Sequence, residues 1–355
     1  MKLNEKITER IIFSSNTIIE ALKQMDITGS KLLFVFDKKK FITLLSIGDI
    51  QRAIINNCSL NDNILGATRK KTVYAKYDDS ESNIKQKMLE TRAECMPVIN
   101  DQDELVNVLF WEDVFHEAEK RKKVKLDLPV VIMAGGKGSR LKPLTNVLPK
   151  PLIPIGEKTI LEYIMDRFID VGCNNFYLSV NYKAEMIEHY FEQIENNNYK
   201  IEFFKEPKPL GTAGSLYMLK GKINETFFVS NCDIIIDDEY DEIYNYHKES
   251  KNELTIVAAL KHYPIPYGTI ETGESGRIKS FIEKPELTFQ INSGMYILEP
   301  HLLDEIPNNE FFHITDLISN IQKRGGNVGA FPVSEKSWTD IGEWSEYYKS
   351  VTKYK

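Results

Sequence analysis

The chain has 355 residues, 42% of them apolar and 27% charged, and a formal net charge of −7; this length calls for two domains with ample core, and the acidic balance argues against a nucleic-acid binder. No apolar run approaches a membrane span, and the opening MKLNEKITERIIF is charged throughout, without the apolar stretch of a signal peptide. Four scattered cysteines, Cys58, Cys95, Cys173 and Cys232, form no CxxC pair and fit reduced thiols, so a cytoplasmic protein without membrane or nucleic-acid partners is expected.

The first third reads as an internal repeat. Residues 13–53 and 77–117 align at a constant offset of 64, with Asp37 on Asp101, Phe41 on Leu105 and Asp49 on Asp113. Each copy predicts an amphipathic helix (Thr17–Met25, then Glu81–Leu89) and a strand (Leu32–Phe36, then Met96–Asn100). A polar turn, a second strand (Phe41–Leu45, then Leu105–Phe110) and a closing helix from Gly48 or Glu112 complete it. Such a unit cannot cover its own sheet and should pair with its copy. The plan resembles a tandem CBS module, whose hallmark ends the second strand as Ser/Thr-x-x-Asp. Here the hallmark stands as Ser46-Ile-Gly-Asp49 and, with the hydroxyl lost, as Phe110-Trp-Glu-Asp113. The resemblance implies an adenine nucleotide held by Ser46, Asp49 and Asp113, and self-association into a homodimer or larger oligomer. An Asp at this place is equally a common helix N-cap, and dimerisation without a ligand is a further reading. The module is drawn at residues 1–120, with repeats at about 7–57 and 71–118. Residues 121–127, the end of a lysine-rich tail, form a linker to a second domain at 128–355.

From Leu128 onward short apolar strands alternate with helical segments. Strands are predicted at Val130–Met133, Asn175–Val180, Ile201–Lys205, Thr226–Asn231 and Leu254–Leu260, and helices at Ile160–Val171, Ala184–Ile194, Gly214–Leu219 and Asp241–Lys251. This alternation predicts an α/β fold: a Rossmann-like, mixed but mostly parallel sheet with helices on both faces. Ligands gather beyond the carboxyl ends of such strands, where the polar motifs of this chain fall.

The first motif is AGGKGSRLKPLTNVLPKPL, Ala134–Leu152. Glycines let backbone N–H groups close on a polyphosphate, and the cations Arg140 and Lys150 offset its charge. The motif is neither GxxxxGK[ST] nor GxGxxG. Its fixed positions resemble the signature of the sugar-1-phosphate nucleotidyltransferases, GGxGxRLxPLTxxxPKP, a family with a GT-A-like domain. The resemblance implies a nucleotide cradled by Ala134, Gly135, Gly136, Gly138, Ser139 and Arg140, and a reaction in which NTP and a sugar 1-phosphate yield an NDP-sugar and pyrophosphate. Arg140 would hold the pyrophosphate and Lys150 the α-phosphoryl group. Asp233 ends an apolar strand, where packing explains it poorly, and Asp340 lies in Trp338-Thr-Asp340-Ile-Gly342. By resemblance both ligate the catalytic Mg²⁺, and a hard cation suits carboxylates. Asp340 is otherwise an Asx-turn or N-cap residue.

PLGTAGSL, Pro209–Leu216, brings Gly211, Thr212 and Gly214 into a loop before a helix, and resembles the base-binding segment of guanylyltransferases. Glu206, just before it, stands where pyrimidine-specific relatives carry Gln. A carboxylate only accepts hydrogen bonds, so it matches the N1–H and N2–H₂ donors of guanine and repels the carbonyls of uracil; GTP is the favoured nucleotide, unless Glu206 is an exposed loop residue. On the sugar side, Gly268, Glu283-Lys284-Pro285 and Asn292-Ser-Gly294 match a pocket glycine, EKP and NxGxYxL. The resemblance gives Glu283 and Asn292 the sugar hydroxyls and Lys284 the sugar phosphate. INSGMYILEP is similar to the mannose-1-phosphate guanylyltransferases. The fusion order is similar to bacterial guanylyltransferases of legionaminic-type acid synthesis, which use glucosamine 1-phosphate. A dTDP- or UDP-sugar pyrophosphorylase, and a nucleotide sensor with an idle transferase domain, are the alternatives.

Overall fold

The computed structural model describes residues 5–68, 73–91, 95–102, 104–110, 125–194 and 198–353. Asp113, Trp111 and the helix expected from Glu112 lie outside the described residues. The chain divides into two compact units, Met1–Lys122 and Lys123–Lys355.

The first unit contains two three-stranded sheets of the same design. One is built from β1 (Ile11–Phe13), β2 (Leu32–Asp37) and β3 (Lys40–Ser46), with α1 (Ile18–Thr28) and α2 (Ile47–Ile55). The other uses β4 (Ala75–Lys76), β5 (Cys95–Ile99) and β6 (Leu105–Phe110), with α3 (Glu81–Thr91). In each, the first pair is parallel and the second antiparallel. Phe34, Phe36 and Phe41 from one copy share a core with Cys95, Ile99 and Leu105 from the other. The repeat is present, but its offset is not constant. Ile18 corresponds to Glu81 and Thr28 to Thr91, an offset of 63, while Phe41 corresponds to Leu105, an offset of 64. The second copy therefore carries one more residue in its turn. Asp37 thus corresponds to Asn100 and not to Asp101. An exposed polar turn absorbs an insertion that a buried strand cannot, because a one-residue slip would turn its apolar face outward.

The second unit is built on a seven-stranded sheet. Its elements are β7 (Val130–Met133), α4 (Leu144–Val147), α5 (Ile160–Ile169), β8 (Asn175–Val180), α6 (Ala184–Glu192), β9 (Lys200–Lys205), β10 (Phe227–Asn231), β11 (Ile234–Ile236) and α7 (Tyr240–Glu249). They continue with β12 (Leu254–Pro264), β13 (Thr269–Thr272), β14 (Ile278–Ile282), β15 (Glu286–Leu298), α8 (Ile314–Lys323), β16 (Val328–Val333), β17 (Trp338–Asp340) and α9 (Trp344–Lys353). The large sheet has the order β9-β8-β7-β10-β15-β12-β16. All neighbouring pairs are parallel except those made by β15, which runs against both β10 and β12. The mixed, mostly parallel α/β sheet is therefore present.

Central strands buried on both faces read as unbroken apolar runs. Val131, Phe227 and Val229 face one core with Leu216, Leu254 and Leu317. Phe228 turns to the other face, where it meets Phe168 and Tyr240 edge-on or tilted. Helix starts follow local chemistry: Thr17 with Glu20, Ser46 with Asp49, and Thr159 with Glu162 each form a reciprocal capping box. The segment Gly214–Leu219, expected as an α-helix, is a 3-10 helix.

Candidate active site

The strand order reverses direction on the two sides of β7: β8 and β9 lie on one flank and β10 on the other. A crevice opens at such a switch point beyond the carboxyl ends of the strands. Met133 pairs with Asn231 there, so the loop that follows β7 and the turn that follows β10 start side by side.

The loop is shaped by its glycines. Gly138 has φ of +61°, and a Cβ on it would come within 2.9 Å of Thr145 Cγ2 and 3.0 Å of Lys150 Cβ. A side chain there would push away the lysine the loop leads to. Ala134 is buried, whereas Gly136 faces open space. Ser139 and Arg140 follow in a short 3-10 turn, Ser139–Leu141.

Two carboxylates reach this loop from distant parts of the sequence. β11 and β17 form a two-stranded antiparallel ladder in which Ile234 pairs with Asp340, and Ile341 N–H donates to the Asp233 carbonyl at 2.7 Å. Asp233 and Asp340 are thereby held together. Lys150, only 6% exposed, is ion-paired with Asp233. The Arg140 guanidinium lies 4.0 Å from Asp233 and 3.4 Å from Glu343. Gly342 lies against the same groups: a Cβ there would come within 2.6 Å of Asp340 Oδ1 and 2.9 Å of Arg140 Nη2, so either side chain would have to shift. The pKa of Asp340 is raised, first by burial and then by the charge of Asp233. Four charged residues singled out in the sequence, Arg140, Lys150, Asp233 and Asp340, thus form one cluster at the glycine loop.

Glu206 follows β9 and is 7% exposed, so it is not an exposed loop residue. Its Oε1 accepts the Ser179 hydroxyl at 2.6 Å and its Oε2 accepts the Leu210 N–H at 3.3 Å. It sits against the loop, since a Cβ on Gly135 would lie 3.1 Å from Glu206 Oε1.

The glycines of Pro209–Leu216 make room for the protein's own backbone. Gly211 has φ of +82°, and a Cβ on it would come within 2.6 Å of the Phe312 carbonyl. One on Gly214 would come within 2.6 Å of the Glu310 carbonyl. Ala213 and Gly214 both donate to Phe312 O, and Phe312 N–H donates back to Leu210 O. Thr212 Oγ1 accepts the Ile314 N–H at 3.0 Å, so it serves the start of α8 rather than its own helix. The partner segment, Glu310–Ile314, was missed from sequence. It has neither a glycine pattern nor a periodic apolar run, and only its paired register against Leu210–Gly214 reveals it.

On the other side, Asn292 donates from Nδ2 to the Tyr296 hydroxyl at 2.8 Å and accepts the Gly294 N–H on Oδ1 at 3.0 Å. Gly294 abuts the end of β10, where a Cβ on it would come within 2.5 Å of Asn231 Nδ2. Gly268 and Glu283 meet at the mouth of the β13–β14 hairpin, where a Cβ on Gly268 would lie 3.0 Å from Glu283 Oε2 and 2.6 Å from Phe281 Cζ. Lys284 next to it has φ of +46°. The exposed side chains of Glu283 and Lys284 make no hydrogen bond or ion pair among the described residues.

In the first unit, Ser46 and Asp49 form the N-terminal cap of α2. Asp49 Oδ2 accepts from Ser46 N–H at 2.9 Å and Ser46 Oγ at 2.6 Å, and its Oδ1 pairs with the Arg52 guanidinium. Of the two roles open to Asp49 in the sequence, capping is the one its contacts display.

Residues 129–355 match the family model for nucleotidyl transferase. The chain is 38% identical over 183 residues to the mannose-1-phosphate guanylyltransferase catalytic subunit beta of Drosophila pseudoobscura pseudoobscura, covering 50% of this chain and 49% of the relative. It is 33% identical over 234 residues to mannose-1-phosphate guanyltransferase beta-B of Xenopus laevis, covering 64% of each. The chain thus spans about half to under two thirds of the length of these relatives. Among solved structures, HddC from Yersinia pseudotuberculosis is 30% identical with a TM-score of 0.51, covering 64% of this chain and 100% of that one. The same protein complexed with GMP-PN gives a TM-score of 0.50.

Proposed function

Because the chain belongs to the nucleotidyl transferase family through residues 129–355, we propose that it is a sugar-1-phosphate guanylyltransferase, which joins GTP to a hexose 1-phosphate and releases pyrophosphate. The observation that carries this reading is the cluster of Arg140, Lys150, Asp233 and Asp340 around the glycine loop. An anionic oxygen of the sugar phosphate attacks the α-phosphorus in line, and the bond to pyrophosphate breaks. The nucleophile is already ionised, so catalysis is positioning and charge neutralisation rather than proton transfer.

The loop from Ala134 through Gly135, Gly136 and Gly138 to Ser139 turns its backbone toward the nucleotide phosphates, and Arg140 holds the departing pyrophosphate. Lys150 answers charge on the α-phosphoryl group, and Lys284 receives the sugar phosphate. Asp233 and Asp340 fit Mg²⁺: both offer the oxygen donors a hard cation takes, and the strand ladder brings them together at the glycine loop. When bound there, the ion neutralises charge on the reacting phosphates. Glu206, with Gly211, Thr212 and Gly214, reads the base. Each of its carboxylate oxygens keeps a lone pair beyond the bonds from Ser179 and Leu210, enough to accept guanine N1–H and N2–H₂. The relatives named as guanylyltransferases and the GMP-PN complex support this choice. Gly268, Glu283 and Asn292 face the sugar, for which glucosamine 1-phosphate is the favoured acceptor, in the supply of a surface-glycan or nonulosonic acid precursor.

The first unit is read as a tandem CBS module that takes an adenine nucleotide near Ser46, Asp49 and Asp113 and joins chains into a homodimer, in the cytoplasm. Its twofold repeated sheet supports that reading. Among the described residues no helix is long and apolar enough to cross a membrane.

The test is pyrophosphate release with Mg²⁺ and a panel of GTP, UTP, dTTP and ATP against glucosamine, mannose, glucose and heptose 1-phosphates. Release with GTP and one hexose 1-phosphate is expected. Turnover of UTP or dTTP without GTP would refute the role given to Glu206, and no release with any pair would refute the enzyme. Calorimetry with AMP and ATP tests the first unit.

A further inference from the structure

We propose that Tyr182 and Lys183, at the end of β8, are positioning residues that hold the phosphate loop and, through α4, set the place of Lys150. The inference rests on the reading of Lys150 as a group that acts on the nucleotide. α4 is a single helical turn, Leu144–Val147, lying between Gly138 and Lys150 in the chain. One turn is far too short to be stable alone, and its terminal carbonyls lack partners within the helix. The chain supplies a partner for each. Leu144 O accepts from Leu148 N–H at 3.1 Å, and Thr145 O accepts from the Tyr182 hydroxyl at 3.1 Å. The Lys183 ammonium donates to both Asn146 O and Val147 O, each at 2.7 Å.

Lys183 breaks local rules in order to do this. It is a non-glycine residue in the left-handed region, with φ of 53° and ψ of 40°, and it occupies the N-cap of α6 without capping it. A cation there also opposes the helix dipole, and Ser, Thr, Asp or Asn would be the ordinary choice. Locally unfavourable choices of this kind are retained where the side chain serves something outside its own element. Here the ammonium is aimed at α4 across 36 and 37 residues of sequence.

The held turn in turn shapes the loop. Thr145, 1% exposed, donates from Oγ1 to Gly138 O at 3.0 Å, and its methyl group lies 2.9 Å from where a Gly138 Cβ would stand. Lys150 Cβ is the next neighbour of that position, at 3.0 Å. Tyr182 N–H reaches back to Gly135 O at 3.4 Å. The end of β8 therefore touches both the start of the loop and the turn that leads to Lys150. Release of α4 would let the buried ammonium drift from the reacting phosphate without removing any group that touches substrate.

The full chain with Lys183→Met, Lys183→Arg or Tyr182→Phe tests this by two readouts. In hydrogen exchange followed by mass spectrometry, Lys183→Met should lose at least tenfold protection in peptides covering 139–150, with β10 peptides unchanged. Lys183→Arg keeps donors for both carbonyls and should retain most of it, and Tyr182→Phe should show a smaller loss. In pyrophosphate release with GTP and glucosamine 1-phosphate, or whichever acceptor the panel identifies, Lys183→Met should lower kcat roughly 10- to 100-fold, as expected for a misplaced positioned group. The KM for the sugar phosphate should stay within about threefold, and Lys183→Arg should recover most of kcat. Unchanged exchange over 139–150 in both Lys183→Met and Tyr182→Phe would overturn the clamp. Loosened exchange with unchanged kcat would overturn its role in the reaction. Exchange decides the clamp even if the wild-type chain turns over no tested pair, an outcome that would strike the proposed function instead.

Discussion

Asp340→Asn separates the metal reading from a purely structural one. Asn keeps the shape, and its Oδ1 can still accept the Gly342 N–H that Asp340 accepts at 2.7 Å. What it loses is a charge that burial and Asp233 both disfavour. Two like unit charges in close contact, at an effective dielectric of about 20, repel by up to about 4 kcal/mol. The Lys150 ammonium paired with Asp233 and partial solvent exposure reduce the relief to about 1 kcal/mol. For a domain of this size that corresponds to a rise of about 2–4 °C in Tm without metal. Mg²⁺ should invert the order. It stabilises the wild-type chain by binding the folded state, and has little to gain from a site with one carboxylate. Pyrophosphate release should fall by about 100-fold or more, about 2.7 kcal/mol of lost transition-state stabilisation. Differential scanning calorimetry in EDTA and in millimolar MgCl₂, with an activity assay beside it, measures all three. A lower Tm for the variant in EDTA, or an equal Mg²⁺ shift in both proteins, would refute the account of the carboxylate pair.

Gly214→Ala should cost about 1–3 kcal/mol and weaken GTP binding together with stability, because its Cβ would meet the Glu310 carbonyl at 2.6 Å; urea denaturation and nucleotide titration check it. Tyr296→Phe removes the acceptor of Asn292 Nδ2, and should cost about 1 kcal/mol and raise the KM for the sugar phosphate a few-fold while leaving that for GTP unchanged. Glu253 is held at a pKa of about 2, first by its hydrogen bonds to Arg324 and also by His301. A carboxylate with a depressed folded-state pKa stabilises above its unfolded value of 4.5 and loses that contribution as pH falls through the folded one. Glu253→Gln should therefore destabilise at pH 7 by about 1–2 kcal/mol after allowance for solvent screening, and the difference should vanish near pH 2 in acid denaturation followed by circular dichroism.

The central strands were legible because Val130–Met133 is an unbroken apolar run and Asn175–Val180 is mostly apolar, both largely buried. The long antiparallel strand Glu286–Leu298 was not identified as one. Its first half belongs to an exposed arm, and although Glu286–Asn292 alternates polar and apolar residues, Ser293 and Gly294 interrupt that period before the buried Met295–Leu298. The phosphate cluster was legible because Arg140 and Lys150 stand in the glycine-rich motif, Asp233 ends an apolar strand where packing explains it poorly, and Asp340 stands in Trp338-Thr-Asp340-Ile-Gly342. Tyr182 and Lys183 were not found, since a lysine that serves distant carbonyls looks, in sequence, like any surface lysine. Gly211 and Gly214 were found for a reason the fold revises: they admit the Glu310–Phe312 backbone.

The pairing of β11 with β17 also orders events during synthesis of the protein. A nascent chain emerges from its N-terminus, so the glycine loop, Lys150 and Asp233 are all made well before Trp338–Gly342. Until that segment arrives, Asp233 has Lys150 beside it and lacks the neighbour supplied by the Ile234–Asp340 ladder. A growing polypeptide thus carries every residue that cradles phosphate before it has both carboxylates, and cannot assemble the complete charge cluster until the sheet around it is nearly finished.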